Sequence, residues 1–372
     1  MKIAMIGQKG IPSRAGGIEI HAEEIIKRIQ NKDIEIFVYC RKGYCNNLDL
    51  NISNNNIKIK FTPFVNTKHL DAITHTFSST ISALASGCNI FHYHALGPST
   101  LSFIPRIFGK KVVCTVHGLD WQRSKWGGLA TKYLKFGEYA TARFSNKTIN
   151  VSKNLVDYYR RKYGVETVYI PNGVEKPEKL EADEIYKLYG LMRNTYILFL
   201  ARLVPEKGVH YLIEAYKKLN TKKKLVIAGG SSHTSEYEKQ LHKMVGNDKK
   251  IIFTGFVEGN VFRELFSNAY IYVLPSDVEG LPISLLEAMS FGNCCLVSDI
   301  PENKSVIKEY GFTFKKSDIT DLHKRLNLLL FDETKINSIK ETVSQYILKE
   351  YNWDVVSNQT VEVYKTLDRR KK

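Results

Sequence analysis

At 372 residues the chain is long for one domain and suits two, and its 43% hydrophobic content supplies cores of ordinary size. Its net charge of +16 is uneven: residues 1–175 hold 24 Lys and Arg against 12 Asp and Glu, whereas residues 176–372 hold 30 against 26. The first half therefore suits an anionic partner (nucleic acid, an acidic membrane face or a phosphate-bearing acceptor) or simply a solvated lysine-rich surface, and no apolar run is long enough to predict a signal peptide or a membrane-spanning helix.

Residues 2–6 read as a short apolar strand, followed by a glycine-rich loop over 7–17 that ends in Gly16-Gly17. A helix is expected over 18–29, with Glu19, Glu23 and Glu24 in early turns that suit the helix dipole. Strand, glycine loop and helix in that order is a phosphate-facing layout, although the loop is neither G-x-G-x-x-G nor a P-loop, and a purely structural turn fits equally. Further strands are expected at 34–39 and 57–61, with an exposed Asn-rich loop over 46–56 between them. Helical spacing covers 70–85, and a strand at 89–94 carries two histidines two residues apart. Residues 101–108 place Phe103, Ile104, Ile107 and Phe108 beside Arg106, Lys110 and Lys111, which suits a packed helix or a membrane surface. A strand at 111–116 ends in His117-Gly118-Leu119-Asp120-Trp121, and a helix is expected over 124–144. Strand 148–151, helix 153–163 and strand 167–170 lead into the turn Pro171-Asn172-Gly173-Val174. The charged stretch 175–184 reads as a linker, which places a domain boundary after 174.

The second half repeats the alternation. Strands are expected at 196–200, 224–228, 251–253, 270–274, 294–297 and 312–314, with helices near 208–219, 235–247, 260–268, 281–292 and 318–331 and a helical tail over 335–367. This is the α/β class: two Rossmann-like domains, 1–174 and 175–352, with parallel sheets facing a cleft and ligands at the carboxyl ends of the strands. The six cysteines, Cys40, Cys45, Cys88, Cys114, Cys294 and Cys295, lack metal-ligand spacing and read as buried, reduced thiols of a cytosolic protein.

The chemistry-bearing residues follow strands. Glu279, Gly280 and Leu281 occupy the turn after strand 270–274, and Glu287 lies on the next helix, about 12 Å further along if the segment is helical. Carboxylates accept paired hydrogen bonds from vicinal diols, while a helix N-terminus between them holds an anion. A diol at each end and a diphosphate in the middle describes a nucleotide sugar; two surface glutamates are the plain alternative. Arg202 and Lys207, after strand 196–200, offer a planar fork and a point charge that suit a diphosphate, or are ordinary surface cations. His117 follows a strand and Asp120 is placed to orient it or to accept a proton. Trp121 and Trp126 suit either sugar stacking or core packing. No Asp-x-Asp pair is present, so no divalent metal is expected.

Glu279-x7-Glu287 around a Gly280-Leu281-Pro282 turn, Arg202 with Lys207-Gly208, Thr115-x-His117-Gly118 and the Gly16-Gly17 loop together resemble the GT-B retaining glycosyltransferases of family 4. The N-terminal half is most similar to bacterial rhamnosyltransferases of capsule, exopolysaccharide and cell-wall polymer assembly. The resemblance implies that Gly16-Gly17 approaches the donor diphosphate, that Arg202 and Lys207 hold the leaving pyrophosphate, and that Glu287 binds the ribose. It also implies that Glu279 binds the donor sugar with help from the N–H groups of Gly280 and Leu281, that His117 contacts the transferred sugar, and that a helix near 353–367 crosses back to the first domain. The implied reaction is retaining sugar transfer from a nucleoside diphosphate, rhamnose on deoxythymidine being one such donor, without a cofactor. The implied acceptor is a lipid-linked glycan at the anionic inner face of the plasma membrane. A nucleotide-sugar epimerase of the same shape and a non-catalytic basic nucleic-acid- or membrane-binding module are the competing readings. The absence of aromatic-basic repeats, zinc spacing or a recognition helix speaks against nucleic acid.

Overall fold

A computed structural model describes residues 1–13, 16–29, 33–44, 56–67, 70–123, 126–230 and 235–368. The chain divides into two compact units, Met1–Gly173 with Asn352–Lys372, and Val174–Tyr351. Each is a Rossmann-like α/β layer structure built on one parallel sheet, the class expected from the alternating pattern.

In the N-terminal unit the order is β1 (Lys2–Ile6), α1 (Gly17–Arg28), β2 (Glu35–Arg41), β3 (Ile57–Thr62), α2 (Asp71–Ala85), β4 (Ile90–His94), α3 (Leu96–Ser99), α4 (Phe103–Ile107), β5 (Lys111–Val116), α5 (Gly128–Arg143), β6 (Lys147–Asn150), α6 (Lys153–Tyr163) and β7 (Val168–Tyr169). The sheet runs β3-β2-β1-β4-β5-β6-β7. β4 is buried along its whole length, as a central parallel strand covered on both faces must be. Strand order reverses direction between β1 and β4, the place where a doubly wound sheet opens a crevice at its carboxyl edge.

The C-terminal unit runs α7 (Glu184–Tyr189), β8 (Tyr196–Leu200), α8 (Val209–Lys217), β9 (Lys224–Ala228), α9 (Ser235–Val245), β10 (Ile251–Gly255), α10 (Gly259–Asn268), β11 (Ile271–Leu274), α11 (Ile283–Ser290), β12 (Cys295–Ser298), α12 (Pro301–Ile307), β13 (Phe312–Phe314), α13 (Ile319–Leu330) and α14 (Glu333–Glu350). Its sheet is β10-β9-β8-β11-β12-β13, with the reversal between β8 and β11. α15 (Trp353–Leu367) belongs to the N-terminal unit. Its Trp353, Val356, Val363 and Tyr364 share a core with Ile25 and Ile26 of α1 and Ile3 and Met5 of β1. Burial of each such side chain stabilises by about 1.5–3 kcal/mol. Gly173 is required beside it, since a Cβ there would lie 2.6 Å from the Trp353 amide nitrogen.

Several boundaries differ from the sequence reading, each for a local reason. The helix expected over 281–292 starts at Ile283, because Pro282 is extended (ψ 109°) and caps it from outside. Leu281 is therefore a loop residue. The helical tail breaks at Tyr351 and Asn352, where the Asn352 side chain accepts from the amides of Asp354 and Val355 and starts α15 afresh. The charged stretch after 174 is pinned rather than slack: Leu180 N–H donates to Ser267 Oγ, and Asp183 and Ile185 both donate to Glu264. The helix expected from 124 begins at Gly128, after a single 3-10 turn at Asp120–Gln122. Cys40, Cys88, Cys114, Cys294 and Cys295 are buried. Cys45, the Asn-rich loop over 46–55 and residues 369–372 lie outside the described residues.

Candidate active site

In the C-terminal unit β8 and β11 are hydrogen-bonded neighbours, so the loops leaving their carboxyl ends emerge side by side. The loop after β8 tightens into a 3-10 turn, Pro205–Lys207, and ends at Gly208 with φ +69°. A Cβ at Gly208 would drive into the carbonyl oxygen of Pro275, so only glycine lets the two loops meet this closely. Asp277 N–H donates to the Glu206 carbonyl at 2.8 Å, and the Asp277 carboxylate accepts from Tyr211 and Ser317. The result is a Lys207 Nζ to Glu279 Oε1 ion pair at 2.5 Å, with side chains only 11% and 8% exposed. Gly280 is half-buried and Leu281 buried in the same loop; Glu287 is half-buried on α11. Arg202 is exposed in the loop after β8. Lys207 and Glu279, singled out separately as cation and acid, are thus one unit. The first turns of α8 and α11 begin at this same edge, and their leading N–H groups have no partner within the helix. Glu206, which the sequence reading gave no role, is buried with Oε2 lacking a hydrogen bond.

In the N-terminal unit Gly16 caps α1 with φ 120°, and Gly17 is the first helical residue. The early acids of α1 reach back to the glycine-rich loop: Glu19 accepts from Lys9 N–H at 3.2 Å and Glu23 from Ser13 N–H at 2.6 Å. His117 sits just past β5, but its side-chain partner is not Asp120. Its Nε2 lies 3.2 Å from His94 Nδ1, while Asp120 pairs with Arg123 at 3.0 Å. Arg123, three residues on within the same turn, reaches Asp120 first. Trp121 is not free for stacking on its edge either: its Nε1 donates to Glu138 at 2.6 Å, and Lys135 lies over its ring. Glu138 is fully buried and collects four donors, from Trp121, Tyr158, Lys162 and Tyr163. Those bonds, with Lys162 prominent, hold its carboxyl below the usual range although burial alone would raise it.

The sequence reading did not single out His21, and it noted His92 and His94 on their strand without giving them a role. The two-residue spacing of His92 and His94 was the available signal, because it puts both on one face of β4. Their rings stack with centroids 4.3 Å apart. His21, from α1, stands edge-on to His117 at 4.7 Å and pairs with Asn172 at 2.8 Å. Burial lowers His21 to about 4 and His92 to about 3, and pushes His94 and His117 well below the ordinary value, with neighbouring histidines adding to the shift. These rings are neutral. Among the described residues, His21, His94 and His117 are the one group whose ring nitrogens gather closely enough, within 4.8 Å, to consider for a metal.

Comparison with known proteins agrees with the two-unit fold. Residues 15–176 match the family described as Glycosyltransferase Family 4, and residues 187–346 match Glycosyl transferases group 1. An uncharacterized glycosyltransferase of Methanocaldococcus jannaschii is 32% identical over 173 residues, a stretch covering 45% of this chain and 44% of that protein. The UDP-Gal:alpha-D-GlcNAc-diphosphoundecaprenol alpha-1,3-galactosyltransferase of Escherichia coli is 26% identical over 281 residues, 71% of this chain and 72% of that one. The crystal structure of Anabaena HepE in complex with UDP-glucose superposes with a TM-score of 0.81 at 18% identity, covering 98% of this chain and all of that one.

Buried neutral histidines set the acid limit of the fold. Their folded pKa values, about 4 for His21, about 3 for His92 and about 4 for His75, a separate buried histidine on α2, lie below the unfolded value of about 6.5. The unfolded chain then binds more protons in acid, so their contribution is complete above pH 6.5 and is lost as pH falls towards 4. The urea midpoint is expected to drop between pH 7.5 and pH 5, by about 1–2 kcal/mol of stability per buried histidine. Equal midpoints at the two pH values would contradict the buried neutral cluster.

Proposed function

The chain is a glycosyltransferase of the GT-B type, and from that premise we propose that it moves a sugar, with retention at the anomeric carbon, from a nucleoside diphosphate donor to a lipid-linked glycan. The observation that carries the donor half of this reading is the Lys207–Glu279 pair at the joined ends of β8 and β11, beside the N-termini of α8 and α11. In this reading Lys207, Arg202 and the helix N–H groups take the diphosphate, Glu287 the ribose, and Glu279 with Gly280 and Leu281 the sugar. The resemblance gives Gly16 and Gly17 a part in holding the diphosphate, and His117 and Asp120 parts in serving the transferred sugar and the acceptor. The acceptor oxygen forms its bond to the anomeric carbon on the face from which the diphosphate leaves. The sugar–phosphate bond breaks, and the acceptor proton passes to a departing phosphate oxygen. Fixed cations stabilise the charge on that oxygen without a divalent metal. Names of similar proteins support the donor class, since one carries UDP-galactose in its name and another was crystallised with UDP-glucose. Rhamnose on deoxythymidine is the donor we favour, on the resemblance of the N-terminal half.

The lipid-linked acceptor is supported by the diphosphoundecaprenol in the name of the Escherichia coli relative and by one surface of the N-terminal unit. No helix among the described residues is long and apolar enough to cross a membrane. On α4 and the turn after it, Ile107 is 74% exposed and Phe108 63%, next to exposed Arg106. A depression lined by Phe103, Arg106, Ile107, Phe136 and Phe144 joins α4 to α5. Along α5, exposed Leu129, Phe136 and Tyr139 alternate with exposed Lys132, Lys135 and Arg143, and the one acid of that helix, Glu138, points inward. Apolar side chains set among unopposed cations fit the headgroup layer of an anionic bilayer, here the inner face of the plasma membrane. This surface gives a physical role to the +12 excess of residues 1–175.

Two experiments test the proposal. Lys207→Ala and Arg202→Ala are expected to weaken nucleoside diphosphate binding about tenfold each by calorimetry, whereas Glu279→Gln retains or improves that binding and loses turnover, because a carboxylate beside the phosphates has been neutralised. Full turnover in Glu279→Gln would refute the site. For the membrane, wild-type protein is expected to sediment with phosphatidylglycerol vesicles at low salt but not with phosphatidylcholine vesicles. Ile107→Asp with Phe108→Asp abolishes that sedimentation and leaves transfer to a soluble acceptor intact; unchanged sedimentation would remove this surface from the account.

A further inference from the structure

The imidazoles of the N-terminal unit form a chain whose proton positions are dictated from one end. Met5 Sδ has lone pairs and no hydrogen, so it can only accept. His94 Nε2 lies 2.8 Å from it and therefore carries the hydrogen. Burial keeps His94 neutral, so its other nitrogen, Nδ1, holds a lone pair. His117 Nε2 lies 3.2 Å from that lone pair, and two facing lone pairs would repel, so His117 Nε2 carries the hydrogen and donates it. His117 is neutral as well, which leaves its Nδ1 as an acceptor with no hydrogen bond to another described residue.

The neighbours leave His94 little freedom to do otherwise. His92 stacks on His94, and the nitrogens of His92 are taken by Tyr364 Oη at 2.6 Å and Thr115 Oγ1 at 2.7 Å. His21 is committed through Nδ1 to Asn172 and packs its ring edge-on against His117, so it fixes the plane of His117 without competing for the His94 contact. His117 itself is the member of this group that keeps part of its surface exposed, just past the end of β5.

We propose that His94, backed by Met5, is a positioning residue that holds His117 in its Nε2–H form, so that the Nδ1 lone pair accepts a hydrogen bond from a hydroxyl of the transferred sugar. The sugar clause rests on the glycosyl-transfer reading; the tautomer clause does not. Long-range proton–nitrogen correlation spectra of the full chain labelled at histidine separate the two, with His117→Gln identifying the resonance. The wild type is expected to show His117 protonated at Nε2. Met5→Leu, close in volume, and His94→Leu are expected to give mixed tautomers. Both should lower kcat about tenfold, the worth of one well-placed hydrogen bond, with KM for the donor unchanged. His94→Gln, whose carbonyl can accept from His117 while its amide donates to Met5, restores kcat. A wild-type Nδ1–H signal, or an unaltered His117 signal in Met5→Leu, overturns the positioning role. Stoichiometric Zn2+ uptake that shifts His21, His94 and His117 together also overturns it, by making the three nitrogens a metal site. If the wild type transfers no sugar, the sugar clause falls and the spectra still decide the rest.

Discussion

The contact between Gly208 and the carbonyl of Pro275 is the constraint on which the C-terminal unit's chemistry depends. Two loops that leave neighbouring strands can bring a lysine and a glutamate to 2.5 Å only if nothing wider than a hydrogen stands between their backbones. Gly208 meets that demand, and its left-handed conformation also ends the Pro205–Lys207 turn and caps α8. One glycine thus sets the position of a cation, an acid and a helix N-terminus. A buried ion pair adds little net stability, because desolvation offsets most of the attraction. Its value here is placement: two opposite charges wait at a fixed point for a ligand carrying both a diphosphate and hydroxyls.

The N-terminal unit solves a different problem. Its interior beneath β4 and β5 holds polar rings, and polar groups are tolerated inside only when their hydrogen bonds are made. His92, His94 and His21 each find a named partner, and Glu138 gathers four donors around Trp121, Tyr158, Lys162 and Tyr163. These networks fix the segment His117–Arg123, which otherwise has only one short 3-10 turn to hold it. Rigidity at that segment comes from side chains rather than from regular backbone, and neutral rings there leave it most secure above pH 6.5.

Much of the architecture was legible in the sequence because period and punctuation agree with it. Apolar runs of four to six residues, each followed by a turn and a helix, specify parallel strands, and the double Rossmann arrangement follows. Lys207 and Glu279 could be picked out singly by residue type and by their places after strands. Their pairing could not be read, since it depends on the close approach at Gly208 and on β8 lying next to β11, both properties of the folded sheet. The partner of Asp120 was not legible for a similar reason: spacing in a turn does not tell which of His117 and Arg123 the carboxylate meets, and it meets Arg123. His21 carried no sequence signal at all, as it reads like any helical residue until α1, β4 and β5 are brought together.

The account rests on the C-terminal unit gripping an activated sugar at both ends. Calorimetric titration of a panel of nucleotide sugars into wild-type protein and Glu287→Ala tests this most directly. The account predicts saturable one-to-one binding of a nucleoside diphosphate sugar to the wild type, and at least about a tenfold loss in Glu287→Ala when the ribose hydrogen bonds are removed. Equal affinity in the two proteins, or no binding of any panel member, would contradict it.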